Sequence, residues 1–115
     1  MKITTSNAIL YCRKWRETVA FYAEVLQLDV HFSNEWFVEF AINTSARLSI
    51  ADEARASIKS ANGQGITLGF QVEDLQAIHV RLAKSGSNPT PLKKRWGSKV
   101  FYVFDPEGNR IEFWS

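Results

Sequence analysis

Asp105-Pro106-Glu107-Gly108-Asn109-Arg110-Ile111-Glu112-Phe113-Trp114-Ser115, reached through the apolar run Val100 to Phe104, decides the fold. Pro106 presets the backbone angle at the second position of a turn, and Gly108 can take the positive φ that closes it. Two strands joined by a tight hairpin follow, and the chain ends inside a sheet. Strand side chains alternate, so Arg110, Glu112 and Trp114 share one face while Ile111 and Phe113 share the other. One face is core. The other sets a carboxylate between a cation and an indole, and must meet water, a partner or a ligand.

Working outward, 115 residues with 45% hydrophobic content make one ordinary domain with enough apolar residues for a core. The single Cys12 excludes an internal disulfide framework and fits a reducing compartment. No apolar run approaches the ~18 to 20 residues that span a bilayer, and no signal-peptide core opens the chain. The reading is a soluble cytoplasmic protein with no membrane partner. A net charge of +2 comes mainly from two clusters, Arg13, Lys14 and Arg16, and Lys93, Lys94, Arg95 and Lys99. Both read as solvated faces or anion contacts, and nothing further supports nucleic-acid binding.

Asn7 to Cys12 reads as a strand apolar on both faces, and therefore central. Trp15, Val19, Tyr22 and Leu26 recur at helical intervals from Trp15 to Gln27. Leu28 to Ser33, Trp36 to Ile42 and Arg47 to Ala51 read as three short strands. Residues 52–64 are polar and end in Asn62-Gly63-Gln64-Gly65, a connector with at most one helical turn. Ile66, Leu68, Phe70 and Val72 then alternate with Thr67, Gly69 and Gln71, a clear strand. Asp74 caps a second helix with the face Leu75, Ile78 and Leu82, and Gly86 ends it. Pro89 to Trp96, Val100 to Phe104 and Arg110 to Trp114 complete three more strands.

Residues 1–51 and 65–115 thus repeat one βαβββ order at an offset of roughly sixty residues. The expected fold is α+β, with two four-stranded sheets, each covered on one face by its helix. Placed together, the tandem modules would form a curved mixed sheet around a cleft, with helices on the outer face.

Three stretches carry a family resemblance: Thr18-Val19-Ala20-Phe21-Tyr22 with Val25-Leu26-Gln27-Leu28, then Phe70-x-Val72-x-Asp74-Leu75, then Asp105 to Glu112. They resemble the vicinal oxygen chelate superfamily, which includes glyoxalase I, bleomycin resistance proteins, extradiol dioxygenases and fosfomycin resistance enzymes. The resemblance implies paired βαβββ modules, commonly in a homodimer with two clefts, and several chemistries on one scaffold. The metal enzymes of that family hold a divalent ion with His, Gln or Glu on four strands. Carried over, those positions fall on Asn7, near Ser49, on Thr67 and on Glu112. Only Glu112 is a competent ligand, and zinc, nickel or iron wants several imidazole, carboxylate or thiolate donors. His31 and His79 do not occupy ligand positions; they read as a strand-surface and a helix-flank residue. No metal and no other cofactor is expected.

With the phase set by the resemblance, the concave face collects Asn7, Ile9, Tyr11, Arg47, Ser49, Thr67, Gly69, Gln71, Arg110, Glu112 and Trp114. Trp36 and Trp96 add aromatic walls, while Trp15 belongs under its helix. Four tryptophans exceed the needs of so short a core, and indoles bind flat ligands. The leading expectation is a metal-free binder of the bleomycin-resistance type, which sequesters or senses a planar or amphipathic compound, as in antibiotic resistance. Binders of cationic bleomycin should offer acidic clefts; this basic chain suits an uncharged or anionic aromatic ligand, with Arg47 and Arg110 near it. The alternative is a metal-independent isomerase or lyase on a carbonyl compound, with Glu112 as general base and Tyr11 or Arg110 facing the oxyanion. An ion pair from Glu112 to Arg110 or Arg47 would argue against it. A metal-dependent glyoxalase- or dioxygenase-like enzyme is the last alternative. Lys14 stands before the first helix where the family usually has an acidic residue, so that end should be poorly capped or meet an anion. Cys12 reads as a buried apolar residue.

Overall fold

The computed structural model describes residues 1–115, which divide into two compact units, Met1–Asn62 and Gly63–Ser115. The first contains β1 (Ser6–Cys12), α1 (Trp15–Ala20) continued by a π-helical turn (Phe21–Val25), β2 (Asp29–Ser33), β3 (Phe37–Ala41) and β4 (Ala46–Asp52). Its sheet order is β1-β4-β3-β2, with β1 parallel to β4 and the other neighbours antiparallel. β1 therefore lies at the edge of this sheet, not at its centre. Its apolar faces misled, because apolarity reports what covers a face and not how many strands flank it. Asn7, Ala8 and Ile9 are exposed, while Leu10 and Cys12 are buried.

The helix starts without a side-chain cap at Lys14, as the missing acidic residue suggested. Thr18 is fully buried, and its hydroxyl donates to the Lys14 carbonyl at 2.7 Å, which satisfies the hydroxyl but caps none of the first-turn N–H groups. The π turn, marked by Leu26 N–H to Phe21 O at 3.0 Å, widens the spacing enough to bury both Phe21 and Tyr22. Gln27 takes a φ of 58° and ends the helix. Tyr22, Phe40, Leu48 and Ile50 are fully buried, and each large apolar side chain removed from water contributes about 1.5–3 kcal/mol. That face is fixed as core. Trp15 donates its indole N–H to the Ile50 carbonyl at 2.8 Å. Of residues 52–64, one short 3₁₀ turn forms at Glu53–Arg55, and 52–62 fold with the first unit.

The second unit contains β5 (Thr67–Gln71), α2 (Leu75–Lys84), β6 (Lys93–Arg95), β7 (Ser98–Phe104) and β8 (Arg110–Trp114), in sheet order β5-β8-β7-β6. Asp74 caps α2 by accepting from Ala77 N–H at 3.2 Å, and Gly86 ends it at φ 81°. Leu75 and Leu82 are buried and Phe101, Val103 and Ile111 are fully so. His79 extends this inward face instead of only flanking it. Its ring stands edge-on to Phe101 at 4.8 Å, and its Nε2–H donates to the Thr90 carbonyl at 2.9 Å.

Only Lys93–Arg95 of the expected strand from Pro89 to Trp96 pairs with β7. Pro89 and Pro91 lack N–H donors and cannot extend the ladder. Thr90 between them still anchors the segment through paired bonds to the Tyr102 backbone, at 2.9 and 2.8 Å. The β7–β8 hairpin closes as read: Gly108 has φ 94° and donates to the Asp105 carbonyl at 2.9 Å.

Candidate functional site

Each unit arranges its own set of the expected site residues, and one of them, Ser49, is fully buried. On the first, register sets Asn7 beside Arg47 and Ile9 beside Ser49, with Glu39 across from Ser49. The Ser49 hydroxyl donates to Asn7 Oδ1 at 2.8 Å. Arg47 is neutralised by Glu39, Nε to Oε2 at 3.4 Å, and donates from Nη1 to the Asn43 carbonyl at 2.9 Å. His31 Nδ1 lies 2.7 Å from the same Glu39 oxygen. Glu39 was absent from the sequence reading because it sits in an otherwise apolar strand. Tyr11 is half-buried near the end of β1. Trp36 is half-buried in the bend just before β3, edge-on to Phe37 at 5.4 Å.

On the second unit, Thr67 pairs with Arg110, Gly69 with Glu112 and Gln71 with Trp114, while Tyr102 and Val100 on β7 face Glu112 and Trp114. A cavity of about 390 Å³ opens here, lined by Arg95, Trp96, Ser98, Val100, Tyr102, Arg110, Glu112 and Trp114. Four expected residues thus come together: Trp96, Arg110, Glu112 and Trp114. Thr67 reaches the site only through Arg110, whose Nε donates to its hydroxyl at 3.0 Å; Gln71 does not line the cavity.

Arg95 and Tyr102 are the residues the sequence reading missed. Tyr102 lay hidden in the apolar run from Val100 to Phe104, although alternation from Glu112's neighbour strand puts it on the cavity face. It is held from two sides: Arg95 Nη1 donates to its Oη at 3.0 Å, and the Arg110 guanidinium lies over its ring at 4.5 Å. Glu112 makes neither an ion pair nor a hydrogen bond, so the expected pairing with Arg110 or Arg47 does not form. Gly69 lies opposite it, and a Cβ there would meet Oε2 at 3.6 Å, an ordinary van der Waals contact.

This donor chemistry does not suit the divalent ion of the family's metal enzymes. In the first unit the Asn7 amide oxygen, its only donor to a metal, already accepts the Ser49 hydroxyl. In the second, Thr67 is bonded to a guanidinium, a cation where an incoming ion would need an anion. No group of three or more His, Cys, Asp or Glu side chains is placed to hold a metal.

A family profile described as a glyoxalase-like domain matches residues 5–115. The structure is similar to a lactoylglutathione lyase from Agrobacterium tumefaciens, at 21% identity and a TM-score of 0.77, over 94% of this chain and 90% of that one. It is also similar to a glyoxalase/bleomycin resistance protein/dioxygenase from Nocardioides, at 16% identity and a TM-score of 0.81, over 99% and 83%. The oxidase ChaP-H2 aligns at 20% identity and a TM-score of 0.77, over 100% and 94%. A search of curated proteins found no match. At such identities the likenesses speak for the fold alone, and their printed activities differ. No helix is long and apolar enough to cross a membrane. With two βαβββ units and a profile match across nearly its whole length, this chain belongs to the glyoxalase-like domain family of the vicinal oxygen chelate superfamily.

Proposed function

We propose that the chain, acting as a homodimer, binds a planar or amphipathic small molecule without a metal ion, sequestering or sensing it as bleomycin-resistance-type proteins do. The observation that carries this reading is the 390 Å³ cavity walled by Tyr102, Trp114 and Trp96. Aromatic lining with a few polar groups, in a volume of about 300–1,000 Å³, is what small-molecule sites use. Two guanidiniums and one carboxylate line it, a balance that favours uncharged or anionic ligands over cationic ones.

Thermal unfolding of chelator-treated protein tests this. Zinc, nickel, manganese and iron(II) should leave the midpoint unchanged, whereas a planar aromatic compound from an antibiotic and carbonyl-metabolite panel should raise it. At a hundredfold excess over Kd the gain is about 2.7 kcal/mol. A metal-dependent rise that disappears in Glu112→Ala would sink the metal-free reading.

One observation favours a second reading, a metal-independent isomerase or lyase acting on a carbonyl compound: the Glu112 carboxylate lines the cavity with no ion pair and no hydrogen bond. Tyr102 replaces Tyr11 and Arg110 as the group facing a developing oxyanion. Its oxygen accepts from Arg95, which leaves its own proton to donate, while Arg110 is engaged with Thr67. On this reading Glu112→Gln should reduce turnover by about 10²–10⁴-fold with ligand affinity little changed; a binder would show no turnover to lose.

A further inference from the structure

We propose that the β6–β7 hairpin is a clamp that makes the cavity selective for planar anions, with Trp96 covering the ligand's ring and Arg95 taking its acidic group. This rests on the binding reading above and adds to it the charge class of the ligand and the residues that choose it.

Trp96 and Gly97 form the two-residue turn between Arg95 and Ser98, at φ 51° and 82°. Turns of this kind favour Asn-Gly, because both positions need positive φ. Here the first position holds a tryptophan that is 97% exposed yet lines the cavity. A large indole in a strained backbone conformation, with nothing packed on it, is unfavourable in the free protein on both counts. A ring seated between Trp96 and Trp114 would cover this indole.

Charge points the same way. From Lys93 to Phe104 the chain has four cations and no carboxylate, and none of its three ion pairs involves them. Lys94 stands directly across from Lys99, a like-charge pair that weakens a strand of only three residues. The Arg95 guanidinium uses one N–H on Tyr102 and has others for a carboxylate, sulfonate or phosphate. Glu112 is the single opposing charge in the cavity. The other two arginines first considered are committed, Arg110 to Thr67 and the Tyr102 ring, Arg47 to Glu39 in the first unit.

The test is fluorescence titration of the chelator-treated full chain with 8-anilinonaphthalene-1-sulfonate, a planar anion, and with proflavine, a planar cation. Wild type should prefer the sulfonate, and added salt should erode that preference. Trp96→Ala should weaken sulfonate binding by about tenfold, and Arg95→Ala should abolish the preference over proflavine. Circular dichroism and the thermal midpoint of Trp96→Ala should match wild type, since nothing packs on that side chain. Sulfonate binding lost in Trp114→Ala but within twofold of wild type in Trp96→Ala would overturn the clamp and leave the binding reading standing. Neither probe binding to wild type would remove both. A lower sedimenting mass for Trp96→Ala with unchanged affinity would also overturn the clamp, and would make the hairpin a contact between copies of the chain.

Discussion

Asp105→Ala should lower unfolding stability by about 4 kcal/mol, because each buried N–H left without an acceptor costs about 1–3 kcal/mol. Asp105 is 4% exposed. Its Oδ1 accepts from the backbone N–H groups of Glu107 and Asn109, both at 2.9 Å, and its Oδ2 from the Asn109 side-chain amide at 2.9 Å. One carboxylate therefore holds the whole turn on which β7 and β8 depend. Asp105→Asn keeps one acceptor oxygen for the two backbone groups and should lose about half as much. Urea unfolding of the three proteins checks this. A loss below about 1 kcal/mol for the alanine variant would mean that water replaces the carboxylate in the turn.

Gly63→Ala should be destabilising by about 3 kcal/mol or more, through two additive causes: overpacking and a disfavoured backbone conformation. A Cβ at residue 63 would lie 2.2 Å from the Gly108 carbonyl oxygen and 2.9 Å from the Asn109 nitrogen, and Gly63 has φ +76°. The obstructing atoms are backbone, so no side chain can rotate away. Gly65 is the internal control. Its φ is +74° but nothing lies within 4 Å of a Cβ there, so Gly65→Ala should show the conformational term alone, about 1 kcal/mol. If the two variants unfold at the same urea concentration, the packing of Gly63 on the hairpin is not rigid. Because Gly63 and Asp105 act on the same turn, the double variant should lose less than the sum of the singles.

Legibility followed the physics of each signal. The helix of residues 75–84 was readable because its cap, apolar face and terminator are local features that agree. The first helix was harder. Its spacing gave the helix, but the π turn at Phe21–Val25, which accompanies burial of both Phe21 and Tyr22, is not predicted by a period of 3.6. Residues 89–92 looked like strand by composition, and two prolines within them prevented pairing. In the candidate site, Trp96, Arg110, Glu112 and Trp114 were found because alternation or aromatic composition marked them. Tyr102 was missed because a polar tip on an apolar body reads as core until its neighbours are known.

By itself the sequence determined the βαβββ repeat, the hairpin at 105–109 and the covered face of each sheet. Those depend on periodicity, turn chemistry and side-chain type, which are properties of neighbours along the chain. Tertiary structure alone decided that β1 is an edge strand, that Glu39 and not Glu112 neutralises Arg47, and that Arg95 and Arg110 converge on Tyr102 and leave Glu112 open. Which charges meet depends on strand register and on side chains far apart in sequence, and only the folded sheet brings them within reach.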